Sequence, residues 1–163
     1  MPAGMGLGLL IAPMVMSVIG WRGVWLVCAA AAVGSAAMVA LTAIVWVRLY
    51  FERIGEMRER RIHPQAVASS RQMAAALTRT QAADNLRNLF EIPVLFYALC
   101  LAVVSVGVAT PLLVNGAWAY VLLRAVHSLI HCTYNRVMHR FAIYVASSAL
   151  LFVLWAAFVA RVV

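Results

Sequence analysis

Residues 124–140 read RAVHSLIHCTYNRVMHR and lie between two long apolar runs. On a helix of 3.6 residues per turn, polar residues at positions i, i+3, i+7 and i+11 share one face. The stretch carries such a stripe at Arg124, His127, His131 and Asn135. A polar stripe on an apolar helix is costly in lipid and must face a cavity or a partner helix. The stretch therefore predicts a polar site inside a membrane-embedded bundle.

The composition supports this setting. The chain has 163 residues, 66% of them hydrophobic and only 11% charged, with a mean hydropathy of +0.95. A soluble domain could not cover that much apolar surface, so the composition predicts an integral membrane protein. The net charge of +8 comes from Arg without any Lys, and these Arg residues flank the apolar runs rather than forming a nucleic-acid-binding patch. Three Cys residues within apolar runs argue against a disulfide framework.

The distribution of apolar residues predicts one all-α membrane domain over residues 1–163, a bundle of four transmembrane helices. Its spans cover about 23–48, 82–109, 117–135 and 141–161, with an N-terminal lead-in at 1–22 and an aqueous loop at about 49–81. Residues 136–140 form a short basic turn between the last two spans. The Arg residues concentrate in this turn and in the loop, so the positive-inside rule makes that side cytoplasmic and both termini external.

A second polar constellation starts the second span. Asp84, Asn88 and Glu91 stand at i, i+4 and i+7 and share a helical face, and Arg87 stands four residues before Glu91. One interpretation is an internal polar network that holds the helices together. The other is a ligand cradle in which Glu91 accepts from an amine, Asn88 bridges, and Arg87 holds a carboxylate.

The third-span stripe has alternatives as well. Its polar residues can simply stabilise the contacts between helices, with the Arg136 and Arg140 side chains extending to the membrane surface. His127 and His131, four residues apart, could instead ligate haem or a metal ion. Because neither a Cys nor a carboxylate shares their helical face, the sequence favours a site without metal.

Three motifs, in the same order and on the corresponding spans, resemble the MAPEG superfamily, the membrane-associated proteins in eicosanoid and glutathione metabolism. Their closest pattern is that of microsomal prostaglandin E synthase and its bacterial relatives. The motifs are Val47-Arg48-Leu49 at the exit of the first span, Arg87-Asn88-x-x-Glu91 shortly before Pro93, and Arg124-x-x-His127 followed by Arg136 and Arg140.

The resemblance implies a four-helix protomer, a homotrimer, and glutathione bound between neighbouring subunits. It implies a glutathione-dependent transferase or isomerase that acts on a lipophilic electrophile or peroxide entering from the membrane lipid. The bacterial pattern implies an inner membrane, and the Arg distribution places the polar clusters toward its cytoplasmic half. Arg140 and Arg136 would stand beside the sulfur, and the glutathione-binding residues would be Arg48, Arg87, Asn88, Glu91, Arg124, His127 and His131.

This chain departs from the family pattern at three positions. Asp84 stands where the pattern has Arg, His131 where it usually has Tyr, and Phe141 where it has Ser. These departures motivate an alternative function, a non-catalytic membrane subunit of the same fold with a lipid-binding or assembly role.

Overall fold

A computed structural model describes the backbone of residues 5–108 and 110–163, and the side chains of residues 29, 31–108 and 110–163. The side chains of the predicted lead-in at 1–22 lie outside this described part. Residue 109, the predicted end of the second span, lies outside it too.

The described residues form six α-helices and one short 3-10 helix, and no β-strand occurs among them. The helices are α1 (Met5–Glu59), α2 (Ser70–Ala76), α3 (Gln81–Leu89), α4 (Ile92–Val106), α5 (Pro111–Cys132) and α6 (Val137–Val162), and the 3-10 helix covers Pro64–Val67.

Four helical segments of the described chain are long and apolar enough to span a membrane. They cover Ala31–Glu59, Gln81–Val106, Pro111–Cys132 and Val137–Val162. Large apolar side chains such as Leu101, Leu122 and Phe152 are exposed on the outer faces of these segments, as expected for side chains that contact lipid rather than water. The prediction of an all-helical integral membrane protein with four spans is confirmed.

The core of the bundle lies where the four spans meet. Each span contributes a large apolar or aromatic side chain with no exposed surface: Met38 of α1, Phe96 of α4, Tyr120 of α5 and Leu151 of α6. The rings of Phe96 and Tyr120 stack with centroids 4.8 Å apart. This contact packs α4 against α5 one helical turn before Arg124, the first residue of the polar stripe.

The second span is interrupted. The sequence predicts one helix from about residue 82, but α3 ends at Leu89 and α4 begins at Ile92, with a backbone break at Phe90 and Glu91. Pro93 favours a break at this position, because a proline inside a helix clashes with the carbonyl four residues earlier and donates no hydrogen bond. Here Pro93 stands in the first turn of α4, where no helical hydrogen bond is lost.

The connection between α5 and α6 also differs from the prediction. The helix ends at Cys132, and Asn135 adopts a left-handed backbone conformation with φ of 46°. Asn tolerates this conformation better than most residues, and its N–H closes the helix end by donating to the Ile130 carbonyl at 2.8 Å. The prediction that Asn135 extends the helical stripe was therefore wrong. The predicted basic turn at 136–140 was also wrong in extent, because α6 already begins at Val137.

The segment predicted as an aqueous loop is largely ordered. Its first part is the end of α1, which continues to Glu59, and its second part contains α2. Ser69 and Gln72 start α2 with a reciprocal capping box. This ordering keeps the polar segment against the ends of α1 and α3.

The buried carboxylate of Glu56 anchors the end of that segment to α1. It accepts hydrogen bonds from the Thr78 N–H at 2.7 Å, the Thr78 hydroxyl at 2.8 Å and the Arg79 N–H at 2.9 Å. Arg60, immediately after the end of α1, donates to the same carboxylate at 3.1 Å. The residues that lead into α3 are thereby held in place.

Candidate functional site

A polar cavity of about 360 Å³ opens between α3, α5 and the start of α6. Side chains from all three helices line it, so it depends on the packing of the whole polar end of the bundle. The lining residues are Asp84, Arg87, Asn88, His127, His131, Val137, Arg140, Phe141 and Tyr144.

Helix α5 supplies the buried side of this site. Arg124, His127 and His131 lie on one helical face, and their exposed fractions are only 0%, 1% and 1%. Tyr120, also fully buried, continues the same face four residues earlier. The structure thus brings together three of the four stripe residues. The two His also line the cavity.

Arg140 is held by contacts from the α5 side. Its Nη1 donates to Nε2 of His131 at 3.0 Å and to Oδ1 of Asn135 at 2.7 Å. Its backbone carbonyl lies 3.1 Å from Nδ1 of His127 and accepts a hydrogen bond from that nitrogen. The Arg140 carbonyl requires a proton on Nδ1 of His127. The Arg140 guanidinium requires an unprotonated Nε2 on His131, which makes that ring neutral with its proton on Nδ1.

Arg124 is the most deeply buried charge of the site. Its Nη2 donates to the Asn88 carbonyl at 2.9 Å, and its guanidinium carbon lies 5.4 Å from the centre of the Tyr144 ring. A buried guanidinium next to an aromatic face gains a cation–π interaction. Through these two contacts the Arg124 side chain connects α5 to α3 and to α6.

Several buried polar atoms of this region have no hydrogen-bond partner within the described residues. Each such atom costs about 1–3 kcal/mol if it remains unsatisfied, and native proteins hold few of them. Their concentration along one face of α5 indicates a place for water or a ligand. The atoms are the Tyr120 hydroxyl, Nε and Nη1 of Arg124, Nε2 of His127 and Nδ1 of His131.

The charge of the site is positive. Arg87 and Arg140 line the cavity and Arg124 lies beneath it, whereas Asp84 is the one carboxylate on its wall among the described residues. A guanidinium stays charged at any physiological pH and presents a planar fork of donors. The arrangement therefore favours a ligand that carries carboxylates or another anionic group.

Besides Arg124, which lies beneath it, three predicted site residues do not line this cavity. Arg48 instead bonds to Glu52 at 2.8 Å and donates to the backbone carbonyl of Cys132. Glu91 is exposed at the break before α4, and Arg136 is exposed immediately before α6. Because the helix breaks at Phe90, Glu91 leaves the face that it was predicted to share with Asp84. A role for these three in ligand binding stays a prediction.

Tyr144 is a lining residue that the sequence reasoning missed. It stands one helical turn after Arg140 on α6, and its ring lies 5.7 Å from that of His127. The spacing of four residues was the available signal, but it becomes visible only when Arg140 is placed inside a helix rather than in a turn. Val137 was missed for the same reason.

The comparisons with known proteins agree with this architecture. The sequence model of the MAPEG family matches residues 31–160. The chain belongs to the MAPEG family. Neither the curated proteins nor the solved structures gave a significant match.

Members of the MAPEG family generally use glutathione. The two His rings of this MAPEG protein stand edge to face with centroids 5.6 Å apart, and each already has a hydrogen bond to Arg140. Across the described residues, no three His, Cys, Asp or Glu side chains come together as a group that could hold a metal ion.

Proposed function

We propose that this MAPEG protein is a glutathione-dependent transferase or isomerase that acts on a lipophilic electrophile or peroxide. The observation that carries the proposal is the row of unpaired buried polar atoms beside a cavity lined by Arg87 and Arg140. We also propose a homotrimer in a bacterial inner membrane, with the cavity toward the cytoplasm. The concentration of Arg at this end of the bundle supports that orientation.

The residues of the cavity fit glutathione in kind. Glutathione carries two carboxylates, an amine and a thiol, and guanidinium forks are suited to carboxylates. Arg87 would bind a carboxylate, Asp84 would accept from the amine, and Arg140 would face the sulfur. The volume of about 360 Å³ lies within the range of small-ligand sites, about 300–1,000 Å³.

Bound glutathione would supply a thiolate nucleophile, whose thiol has an ordinary pKa of about 8.5. Arg140 is the residue suited to stabilise a negative sulfur. His131 and Asn135 share its Nη1, so Nη2 and Nε are free of partners among the described residues. A guanidinium held in one orientation favours the anion without reorganising during the reaction.

The other residues position this guanidinium and shape the cavity. His127 holds the Arg140 backbone carbonyl, and His131 accepts from the Arg140 side chain. Val137 and Phe141 give the cavity an apolar side at the start of α6. This apolar side supports a lipophilic second substrate, because it offers apolar contacts to such a molecule and excludes water from the reacting atoms.

The experiment is a thiolate absorbance titration with glutathione, combined with turnover of a generic lipophilic electrophile. We expect glutathione-dependent absorbance in the unaltered protein and a drop of about 100-fold in kcat/KM for Arg140→Gln, the loss typical of one electrostatic stabiliser. Arg161→Gln is the control, because it removes the same charge from the opposite end of α6. Absence of any glutathione response at millimolar concentration would refute the proposal.

A second candidate is a non-catalytic membrane subunit of the same fold. It is favoured by the internal bonds of the charged groups, since Arg140 bonds to His131 and Asn135, and Arg124 bonds to the backbone of Asn88. Under this function, Arg124→Gln lowers the stability of the assembly and leaves no ligand response to lose. If that variant stays assembled and loses only glutathione binding, the second candidate fails.

A further inference from the structure

A second polar cavity, of about 310 Å³, lies between the end of α1, the α2 segment and the start of α3. It adjoins the first cavity, because Asp84 and Arg87 line both. Its other polar lining residues include Arg53, Ser70, Arg79 and Thr80. Neither the family nor the proposed thiol chemistry assigns it a role.

The three acidic residues of α1 all pair with groups other than Arg53 and Arg87. Glu52 pairs with Arg48 at 2.8 Å, Glu56 binds the Thr78–Arg79 turn, and Glu59 pairs with Arg79 at 2.7 Å. The charge of Arg79 on the cavity wall is therefore already balanced.

Arg53 and Arg87 are different. Within the described residues, neither has a carboxylate oxygen within 4.0 Å, yet both line this cavity from different helices. Asp84 is the lining carboxylate that remains, and it forms no ion pair with either of them. Two free guanidinium groups against one free carboxylate leave the cavity with a net positive charge.

The chemistry of the wall matches a phosphate group. A phosphate offers several oxygens in a tetrahedral arrangement, so it can accept from Arg53 of α1 and Arg87 of α3 together. The hydroxyl of Thr80 makes no capping hydrogen bond to α3 and is an additional donor. We propose that this cavity binds a phosphate group, carried either by an anionic lipid headgroup or by free phosphate. The cavity lies beside the end of a membrane span, the depth at which lipid phosphates occur.

The experiment measures binding of two probes to the full chain purified in a neutral detergent. One probe is phosphatidylglycerol, counted as lipid molecules retained per chain by native mass spectrometry, with phosphatidylcholine as the neutral reference. The other is inorganic phosphate at constant ionic strength, measured as a concentration-dependent shift of the thermal unfolding midpoint. We expect saturable binding of phosphatidylglycerol, of inorganic phosphate, or of both.

Arg53→Gln should weaken this binding about tenfold, the effect of losing one charge-assisted hydrogen bond. Arg58→Gln is the matched control, because it removes the same charge from the same helix at a position outside the cavity. Asp84→Asn should tighten binding, because it removes the opposing carboxylate. Arg53→Lys, which keeps the charge, should bind more tightly than Arg53→Gln and guards against a folding defect.

Each outcome decides the proposal. Binding of either probe with a selective loss in Arg53→Gln supports it, and the responding probe distinguishes a lipid headgroup from free phosphate. Equal losses in Arg53→Gln and Arg58→Gln would mean only general surface attraction, and absence of saturable binding of both probes would also overturn it. Arg53 does not line the first cavity, where glutathione is proposed to bind, so Arg53→Gln should keep its glutathione response. A loss of phosphate binding can therefore be told apart from a failure of the proposed function.

Discussion

Replacing Glu56 with Gln should loosen the segment that leads into α3. The carboxylate has an exposed fraction of 2% and accepts four hydrogen bonds, three at Oε1 and one at Oε2. A Gln amide has the same shape but only one oxygen. If that oxygen takes the Oε1 position, its NH₂ group faces the Arg79 N–H, and two donors then confront each other.

The magnitude follows from these contacts. Leaving the Arg79 N–H unpaired costs about 1–3 kcal/mol, and the remaining bonds lose the extra strength that an ionised acceptor provides. Glu56 lies at a helix end near the protein surface, so water lowers the total. We therefore expect opening of the segment to become easier by about 2–3 kcal/mol, which corresponds to about a 30- to 150-fold change in the opening equilibrium.

Hydrogen exchange at the Thr78 and Arg79 amides measures this opening, and the rate of trypsin cleavage within residues 58–79 provides a second readout. Glu59→Gln is the control. Its ion pair with Arg79 has a carboxylate side chain that is 58% exposed, and such pairs contribute less than about 1 kcal/mol. If exchange and cleavage in Glu56→Gln are no faster than in Glu59→Gln, the inferred anchoring is wrong.

Two further substitutions test the packing of the spans. A Cβ at Gly116 would overlap the Leu154 side chain, so Gly116→Ala should lower the free energy of unfolding by about 1–2 kcal/mol, measured by unfolding in detergent. Gly55→Ala, whose nearest neighbour would be the Arg79 guanidinium at an ordinary 3.9 Å, should be neutral or stabilising, and equal effects would contradict the packing argument. Pro93→Ala should change unfolding by less than about 1 kcal/mol, because Pro93 lies in a first helical turn. A much larger loss would mean that the break depends on the ring.

The spans and the buried stripe could be predicted from the sequence because both follow from periodicity and length. Arg124, His127 and His131 are separated by three and four residues, so any helix through them places them on one face. Their surroundings are apolar, so that face must turn inward. The same reasoning holds for the apolar outer faces, because charged side chains are costly in lipid.

The ends of the helices could not be predicted in the same way. The break at Phe90 and the left-handed backbone at Asn135 each depend on two or three residues. Pro93 and Asn135 permit such breaks without requiring them, because both residues also occur within or beside longer helices. These breaks nevertheless determine the site, since one removes Glu91 from the α3 face and the other brings Arg140 into α6.

Partners across helices could not be predicted either, and Arg48 illustrates the reason. Its spacing from Glu52 predicts their ion pair, but nothing local predicts that Arg48 also reaches the carbonyl of Cys132. Cys132 is the last residue of α5, where backbone carbonyls lack helical partners and the helix dipole is negative. A cation from another helix satisfies both requirements, but only the three-dimensional arrangement identifies which cation it is.

Glu52, the partner of Arg48, contacts the N-terminal end of α3 in turn. Its Oε2 accepts from the N–H of Ala82 at 3.3 Å, in the first turn of α3, where donors are unpaired and the dipole is positive. One pair on α1 therefore places its cation at the end of α5 and its anion at the start of α3, each with the favourable sign. An exposed pair of this kind contributes little by itself. Because α3 and α5 carry most of the cavity wall, the contribution of this pair to the site is the relative position of those two helices.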